Sequence, residues 1–123
     1  MDTQALLEGH RLYLDRIVRE GDISRPLADA AWDILMDMLD TMGPDLEIPD
    51  AIPGVDGKLF YTWKRDADYL ELEMRPDATG ELFFRDGKRG DIWSEDFRLG
   101  QPLSLNAITK LRLFQPAFRS TEP

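Results

Sequence analysis

Apolar and polar residues alternate between Leu59 and Phe84, and this alternation constrains the fold more than any other feature of the chain. A period of two places every second side chain on the same face of a β-strand. Three runs share the period and are separated by short turn-forming segments, which predicts an antiparallel meander. The predicted buried face consists of Leu59, Tyr61, Trp63, Leu70, Leu72, Met74, Leu82 and Phe84.

The strands are predicted at residues 58–64, 69–75 and 81–86, with a shorter fourth strand at 91–94. The first two strands pair Trp63 with Leu70 around a short connection. For the next two, a turn through Pro76, Asp77 and Gly80 has a composition typical of hairpins. In that register three pairs face one another: Met74 and Leu82, Arg75 and Glu81, Glu71 and Arg85. The two charge pairs favour this register.

Helical periodicity predicts helices at residues 3–20, 24–42 and 105–114. Thr3, Ser24 and Ser104 are the predicted N-caps. Residues 43–57 contain three prolines and no helical period, so they are predicted to be an irregular connector. The order of elements predicts one α+β domain over residues 1–123, with an N-terminal helical hairpin and a C-terminal helix packed on a three- to four-stranded antiparallel meander.

Composition narrows the possible functions. The chain has 24 acidic against 15 basic residues and a net charge of −9, which argues against direct binding to nucleic acid or to an anionic membrane. The same charge is compatible with a protein partner that has a basic surface, which we expect, or with a role in solubility alone. The absence of cysteine excludes thiolate nucleophiles and cysteine-bound zinc. Without a signal-peptide pattern or a run of apolar residues long enough to span a membrane, we expect a cytoplasmic protein.

No catalytic motif is present in the sequence, and no cofactor is predicted. The single histidine, His10, lies on the apolar face of the first helix, which favours a structural or interface role over general base catalysis. The many carboxylates leave one alternative open, a carboxylate-based metal-dependent enzyme or module.

Four aspartates recur on the second predicted helix at spacings of four, four and three residues: Asp29, Asp33, Asp37 and Asp40. We call these four residues the acidic ridge. Like charges at these spacings destabilise a helix by a few tenths of a kcal/mol per pair. The ridge is therefore either an ordinary solvated face of an acidic protein or a surface that binds a basic partner.

The second face of the predicted sheet, the outer face, carries aromatic residues among charges. Its predicted members are Phe60, Tyr69, Glu71, Glu73, Phe83 and Trp93. Aromatic residues surrounded by charges are typical of protein interfaces. Either the C-terminal helix covers this face, or a second copy or another protein does.

Several short motifs accompany this pattern: Asp56-Gly57, then Trp63, then Leu70-Glu71-Leu72-Glu73, then Phe83-Phe84. Over residues 22–94 the chain resembles small uncharacterised bacterial proteins that have a helical pair followed by such a sheet block. It departs from their pattern in having Glu20-Gly21-Asp22 where they have Trp-Asp-Gly between the helices. The resemblance implies the α+β fold and assigns no catalytic residue.

Taken together, the charge and the two candidate surfaces predict a small, acidic, non-enzymatic binding protein that acts by protein–protein contact. An inhibitor, an antitoxin, an immunity protein and a DNA mimic all fit this description, and a homodimer is compatible with each of them.

Overall fold

The computed structural model describes residues 2–115 and has an α+β architecture. Two helices precede the sheet and one follows it. The elements are α1 (Thr3–Arg19), α2 (Arg25–Met42), β1 (Asp50–Pro53), a 3-10 turn (Val55–Gly57), β2 (Leu59–Arg65), β3 (Asp68–Met74), β4 (Thr79–Arg85), β5 (Ile92–Arg98) and α3 (Leu105–Arg112). None of the helices in this part of the chain is long and apolar enough to cross a membrane.

Side-chain caps set the helix starts. The side chains of Ser24 and Ser104 accept hydrogen bonds from backbone N–H groups in the first turns of α2 and α3, as predicted. The predicted cap of α1 was wrong by one residue, because Asp2 rather than Thr3 accepts from the backbone N–H of Gln4. Helix α2 ends at Gly43, whose φ of 105° is available to glycine at little cost.

The sheet is an antiparallel meander in the order β1-β2-β3-β4-β5, so it has five strands instead of the predicted three or four. The additional strand, β1, lies in the predicted connector and pairs Asp50 with Thr62 and Pro53 with Leu59 of β2. Its four residues are too few to show a period of two, and it forms because β2 offers an unpaired edge. The fourth predicted strand, at residues 91–94, extends to Arg98 in the structure.

The predicted register between β2 and β3 is confirmed, since Trp63 faces Leu70. The predicted register between β3 and β4 was wrong by two residues: Leu72, not Met74, faces Leu82. The reason lies in the turn, where the Asp77 carboxylate accepts from both the N–H and the hydroxyl of Thr79, at 3.0 and 2.6 Å. This turn starts β4 at Thr79, earlier than the hairpin composition suggested.

Two predicted cross-strand charge pairs fail in this register. Glu71 faces Phe83, and Arg85 faces Tyr69. Arg75 and Glu81 do not pair as strand neighbours, although their side chains form an ion pair at 3.5 Å.

All three helices pack on the inner face of the sheet. Tyr61 on β2 donates a hydrogen bond to the carbonyl of Ala31 on α2, and His10 on α1 contacts the same tyrosine. The inner-face side chains predicted from the alternation are all buried: Leu59, Tyr61, Trp63, Leu70, Leu72, Met74, Leu82 and Phe84. The sheet's inner face and the helices form one hydrophobic core.

The positions of α3 and Trp93 show which face of the sheet the C-terminal helix covers. Lys110 of α3 lies 5.0 Å from the ring centre of Phe84 and 5.7 Å from that of Trp93. Trp93 faces Phe84 across the β4–β5 pair, so its predicted place on the outer face was wrong. The C-terminal helix therefore packs on the inner face, and no helix within residues 2–115 covers the outer face.

Candidate functional site

The acidic ridge lies on the solvent side of α2, and all four of its aspartates are exposed. At 3.6 residues per turn they fall within an arc of roughly 80° and extend over about 16 Å of the helix. The opposite side of α2 is buried through Ala31, Leu35 and Met38. The structure thus brings the four predicted residues together on one side of one helix.

Little positive charge compensates the acidic ridge. Arg25 is the only basic residue of α2. Its guanidinium is 2.8 Å from Asp15 of α1 but 3.9 Å from Asp29, so its closest carboxylate is not on the ridge. The hydrogen bond from Arg25 holds the pKa of Asp15 below its usual range. Within residues 2–115 no ion pair joins Asp33, Asp37 or Asp40 to a base.

The two ends of the acidic ridge border different surroundings. Asp29 and Asp33 line a cleft against α1 that also contains Arg11 and Arg25. Asp37 and Asp40 border a cavity of about 310 Å³ whose wall includes Phe97 of β5. A basic side chain on a partner would therefore meet uncompensated carboxylates mainly at the C-terminal half of the ridge.

The outer face contains an aromatic pair at its centre. Tyr69 and Phe83 lie edge to face, with ring centres 6.4 Å apart, and both are half-buried. The cationic groups of Lys64 and Arg85 lie 6.0 and 5.7 Å from the Tyr69 ring. The Tyr69 hydroxyl donates to Glu71 at 2.6 Å. The pKa of Tyr69 is raised to about 12, mainly by burial and to a lesser extent by this hydrogen bond.

Two other predicted members of the outer face, Glu73 and Phe60, have contacts within the chain. Glu73 is paired with Arg75 at 2.6 Å and lies 3.7 Å from Lys58. The Phe60 ring packs on the backbone of Gly54, where an added Cβ would lie 2.5 Å from a ring carbon. With Trp93 on the inner face, the aromatic surface that the structure leaves open on the outer face is Tyr69 and Phe83. We call these two residues the aromatic pair.

His10 is buried and has a partner. Its Nε2 lies 3.0 Å from the hydroxyl of Tyr61, which in turn donates to the carbonyl of Ala31 at 2.8 Å. Because Tyr61 donates its single hydroxyl proton to Ala31, its oxygen must accept in the contact with His10. The proton of the neutral imidazole is therefore on Nε2. Burial lowers the pKa of His10 to about 4 and raises that of Tyr61. The histidine is therefore neutral at pH 7 and links α1, β2 and α2.

His10 and the carboxylates are the side chains that metal binding or general base catalysis would use. Across residues 2–115 no group of three or more His, Asp or Glu side chains is placed to hold a metal ion. Within the same residues, the hydrogen-bond partner of His10 is the Tyr61 hydroxyl and not a carboxylate.

A third surface escaped the sequence analysis. An open groove of about 940 Å³ runs between α1 and residues 44–52, and His10 forms part of its wall. Two exposed apolar side chains, Leu6 and Ile52, lie along it. Their exposure is visible only once the connector is placed beside α1, so no periodicity in the sequence signals the groove.

Comparison with protein-family models, with curated proteins and with solved structures finds no match to this chain. The resemblance to small uncharacterised bacterial proteins therefore stays a prediction.

Proposed function

We propose that the protein is a small, acidic, non-enzymatic binding protein that occupies the basic surface of a protein partner. Inhibitors, antitoxins and immunity proteins act in this way, and a DNA mimic is also a binding protein of this kind. We place it in the cytoplasm, in keeping with a chain that has no cysteine.

The observation that carries this proposal is the uncompensated charge of the acidic ridge. Four exposed carboxylates share one side of α2, and the helix supplies one base, which is closer to Asp15 than to the ridge. Each like-charge neighbour destabilises the helix by a few tenths of a kcal/mol. A complementary basic surface would convert this cost into attraction and would also accelerate association.

The aromatic pair supports a second contact, on the opposite side of the molecule. Tyr69 and Phe83 are surrounded by Lys64, Arg85 and Glu71, and no helix within residues 2–115 lies over them. A buried aromatic centre with a charged rim is the usual anatomy of an interface. We assign this patch to a second copy of the chain, because its cations and its carboxylate provide both partners of an isologous contact.

The acidic ridge is tested by reversing its charge. The double variant Asp33→Lys, Asp37→Lys should lose a partner that the wild-type protein captures from host lysate, because its attraction for a basic surface becomes repulsion. The matched control is Glu8→Lys, Asp22→Lys, which changes the net charge equally at exposed positions away from the ridge.

The readout is the set of proteins retained on immobilised wild type and on each variant at low and moderate salt. The proposal is supported by any protein that the wild type and the control retain but the ridge variant does not. Equal retention by all three proteins would show that the ridge is only a solvated face. A thermal melt of each variant checks that the fold is intact.

The alternative of a carboxylate-based metal-dependent enzyme gains no support from a specific feature of the structure. The acids of the ridge are spread along a convex helix surface. On the outer face Glu73 and Glu81 are paired with bases, and Glu71 accepts from the Tyr69 hydroxyl. A Mg²⁺ or Ca²⁺ site requires several oxygen ligands that converge on one point.

A further inference from the structure

The groove between α1 and residues 44–52 has an unusual combination of lining groups. Its wall is largely apolar, and Leu6 and Ile52 within it are 41% and 49% exposed. Its volume, about 940 Å³, is in the range of sites that enclose a substantial ligand. Leu6 projects from α1, whereas Ile52 pairs with Phe60 and so projects from the outer face of β1, which means that the two exposed apolar side chains flank the open edge of this strand. Exposed apolar side chains beside a groove are typical of binding sites.

Besides the Tyr13 hydroxyl, the groove is lined by three carboxyl groups and one imidazole that offer hydrogen-bond acceptor atoms. They are Asp45, Glu47, Asp50 and His10, and no Lys or Arg is among the described lining residues. Asp45 accepts from Gln115, and Glu47 is 3.5 Å from Arg65, so two of the carboxylates have contacts inside the chain. Asp50 is exposed at the rim. The groove as a whole therefore carries negative charge and favours a cationic donor.

His10 provides a second, independent indication. The side chain is only 8% exposed, and its Nε2 is used by Tyr61. No hydrogen bond reaches its Nδ1, yet the described part of the chain contains no fully buried polar side-chain atom without a partner. Nδ1 must therefore have some access to solvent, and His10 contributes to the groove wall. His10 is thus a buried side chain on the groove wall whose acceptor nitrogen has no hydrogen-bond partner within residues 2–115.

The edge of the sheet indicates the shape of the occupant. β1 is an edge strand, and among residues 2–115 its backbone pairs only with β2. Asp50, Ala51 and Ile52 of this strand border the groove. An extended chain is the partner that an open sheet edge accommodates.

We propose that the groove binds a short, extended peptide segment of another protein, one that carries a Lys or Arg side chain beside an apolar one. Side chains of an extended segment alternate between two faces, so the apolar side chain packs against Leu6 on the α1 side and the cation lies beside Asp50, which projects from the other face of β1. A donor on the segment reaches Nδ1 of His10. This inference concerns a different surface from the acidic ridge and does not depend on the function proposed for it.

The test uses the full chain and the blocked tripeptide acetyl-Leu-Arg-Leu-amide, with acetyl-Leu-Gln-Leu-amide as the uncharged control. Because the chain has one histidine, its imidazole ¹⁵N resonances are unambiguous. We expect the free protein to show the tautomer protonated at Nε2. Addition of the arginine peptide should shift the Nδ1 resonance and the backbone amides of residues 44–52, with a dissociation constant on the order of millimolar or tighter.

Variants assign the contacts. Asp50→Asn should weaken binding about two- to five-fold, as expected for one partly exposed ion pair, whereas Asp33→Asn on the acidic ridge should leave it unchanged. Leu6→Gln should also weaken binding. Leu12→Gln is the matched control, because Leu12 is an exposed leucine of the same helix that does not line the groove.

Three results would overturn the inference. The first is a Nδ1 resonance that stays fixed while the arginine peptide saturates. The second is equal affinity for the arginine and glutamine peptides, which would remove the requirement for a cation. The third is a set of shifts confined to α2, which would place the peptide on the acidic ridge instead.

Discussion

Acidification should destabilise the protein at a pH where few other groups titrate, because His10 is buried in its neutral form. Its pKa is about 4 in the folded chain and 6.5 in the unfolded chain, and burial is the cause. Between these values the unfolded chain binds a proton that the folded chain does not. The stability that the neutral histidine provides is therefore fully present above pH 6.5 and is lost progressively as the pH falls towards 4.

The size of the effect follows from the two pKa values. One pKa unit corresponds to about 1.4 kcal/mol, so the full difference is worth about 3 kcal/mol, of which about 2 kcal/mol is lost by pH 5. The carboxylates with lowered pKa values, Asp15, Asp77 and Asp86, contribute in a separate window. Their stabilisation is present above pH 3.8 and falls only below it, so the interval from pH 7.5 to 5 isolates His10.

Urea denaturation at several pH values between 7.5 and 5 measures the loss. The wild-type protein should become less stable across this interval, and His10→Gln should show a much flatter profile. An NMR titration of the single histidine gives the folded pKa directly, even if the variant folds poorly. A titration midpoint near 6.5, or a wild-type stability that does not change between pH 7.5 and 5, would refute the reasoning.

Two further predictions concern packing and association. Gly80→Ala should destabilise the protein by at least about 1 kcal/mol, because the added Cβ would lie 2.5 Å from the ring of Phe97. Gly9→Ala in α1, where nothing lies within 4 Å, should instead stabilise it by up to about 1 kcal/mol; thermal melts that give both variants the same sign would contradict this. Phe83→Glu should lower the mass measured by light scattering if the aromatic pair joins two copies, whereas Leu12→Glu, at an exposed apolar position of α1 away from the outer face, should not. A wild-type protein that is already monomeric at high concentration would argue against a dimer through this face.

Local signals in the sequence account for the elements that could be predicted. The alternation from Leu59 to Phe84 identifies a buried face because side chains on a strand alternate strictly between two sides, and every predicted member of that face is buried. Ser24 and Ser104 mark helix starts because each can satisfy a backbone N–H of its own first turn. The acidic ridge is equally local, since the spacing of four aspartates on one helix fixes their common side.

The register of the sheet depended on turn geometry that composition does not reveal. A shift of two residues between β3 and β4 leaves every side chain on its predicted face, so hydrophobicity could not distinguish the two registers. A shift of one residue, in contrast, moves every side chain of the strand to the other face of the sheet. In the turn between β4 and β5 the backbone N–H of Asp86 donates to the carbonyl of Asp91, and Gly90 has a φ of 75°. This turn places Trp93 opposite Phe84, on the inner face.

Only the tertiary structure could decide which surfaces are open and what surrounds His10. β1 exists because β2 provides an edge, the groove exists because residues 44–52 lie beside α1, and the aromatic pair is open because α3 packs on the other face. Each of these depends on residues that are far apart in the chain: His10 and Tyr61 are in contact although 51 positions separate them, and the burial of His10 among such distant residues lowers its pKa. The sequence by itself determined the three helices, the strands β2, β3 and β4 and the sides that these elements bury, because these follow from short-range periodicity. Long-range packing decided the rest, because a cavity, an edge or a buried ionisable group is a property of several elements at once.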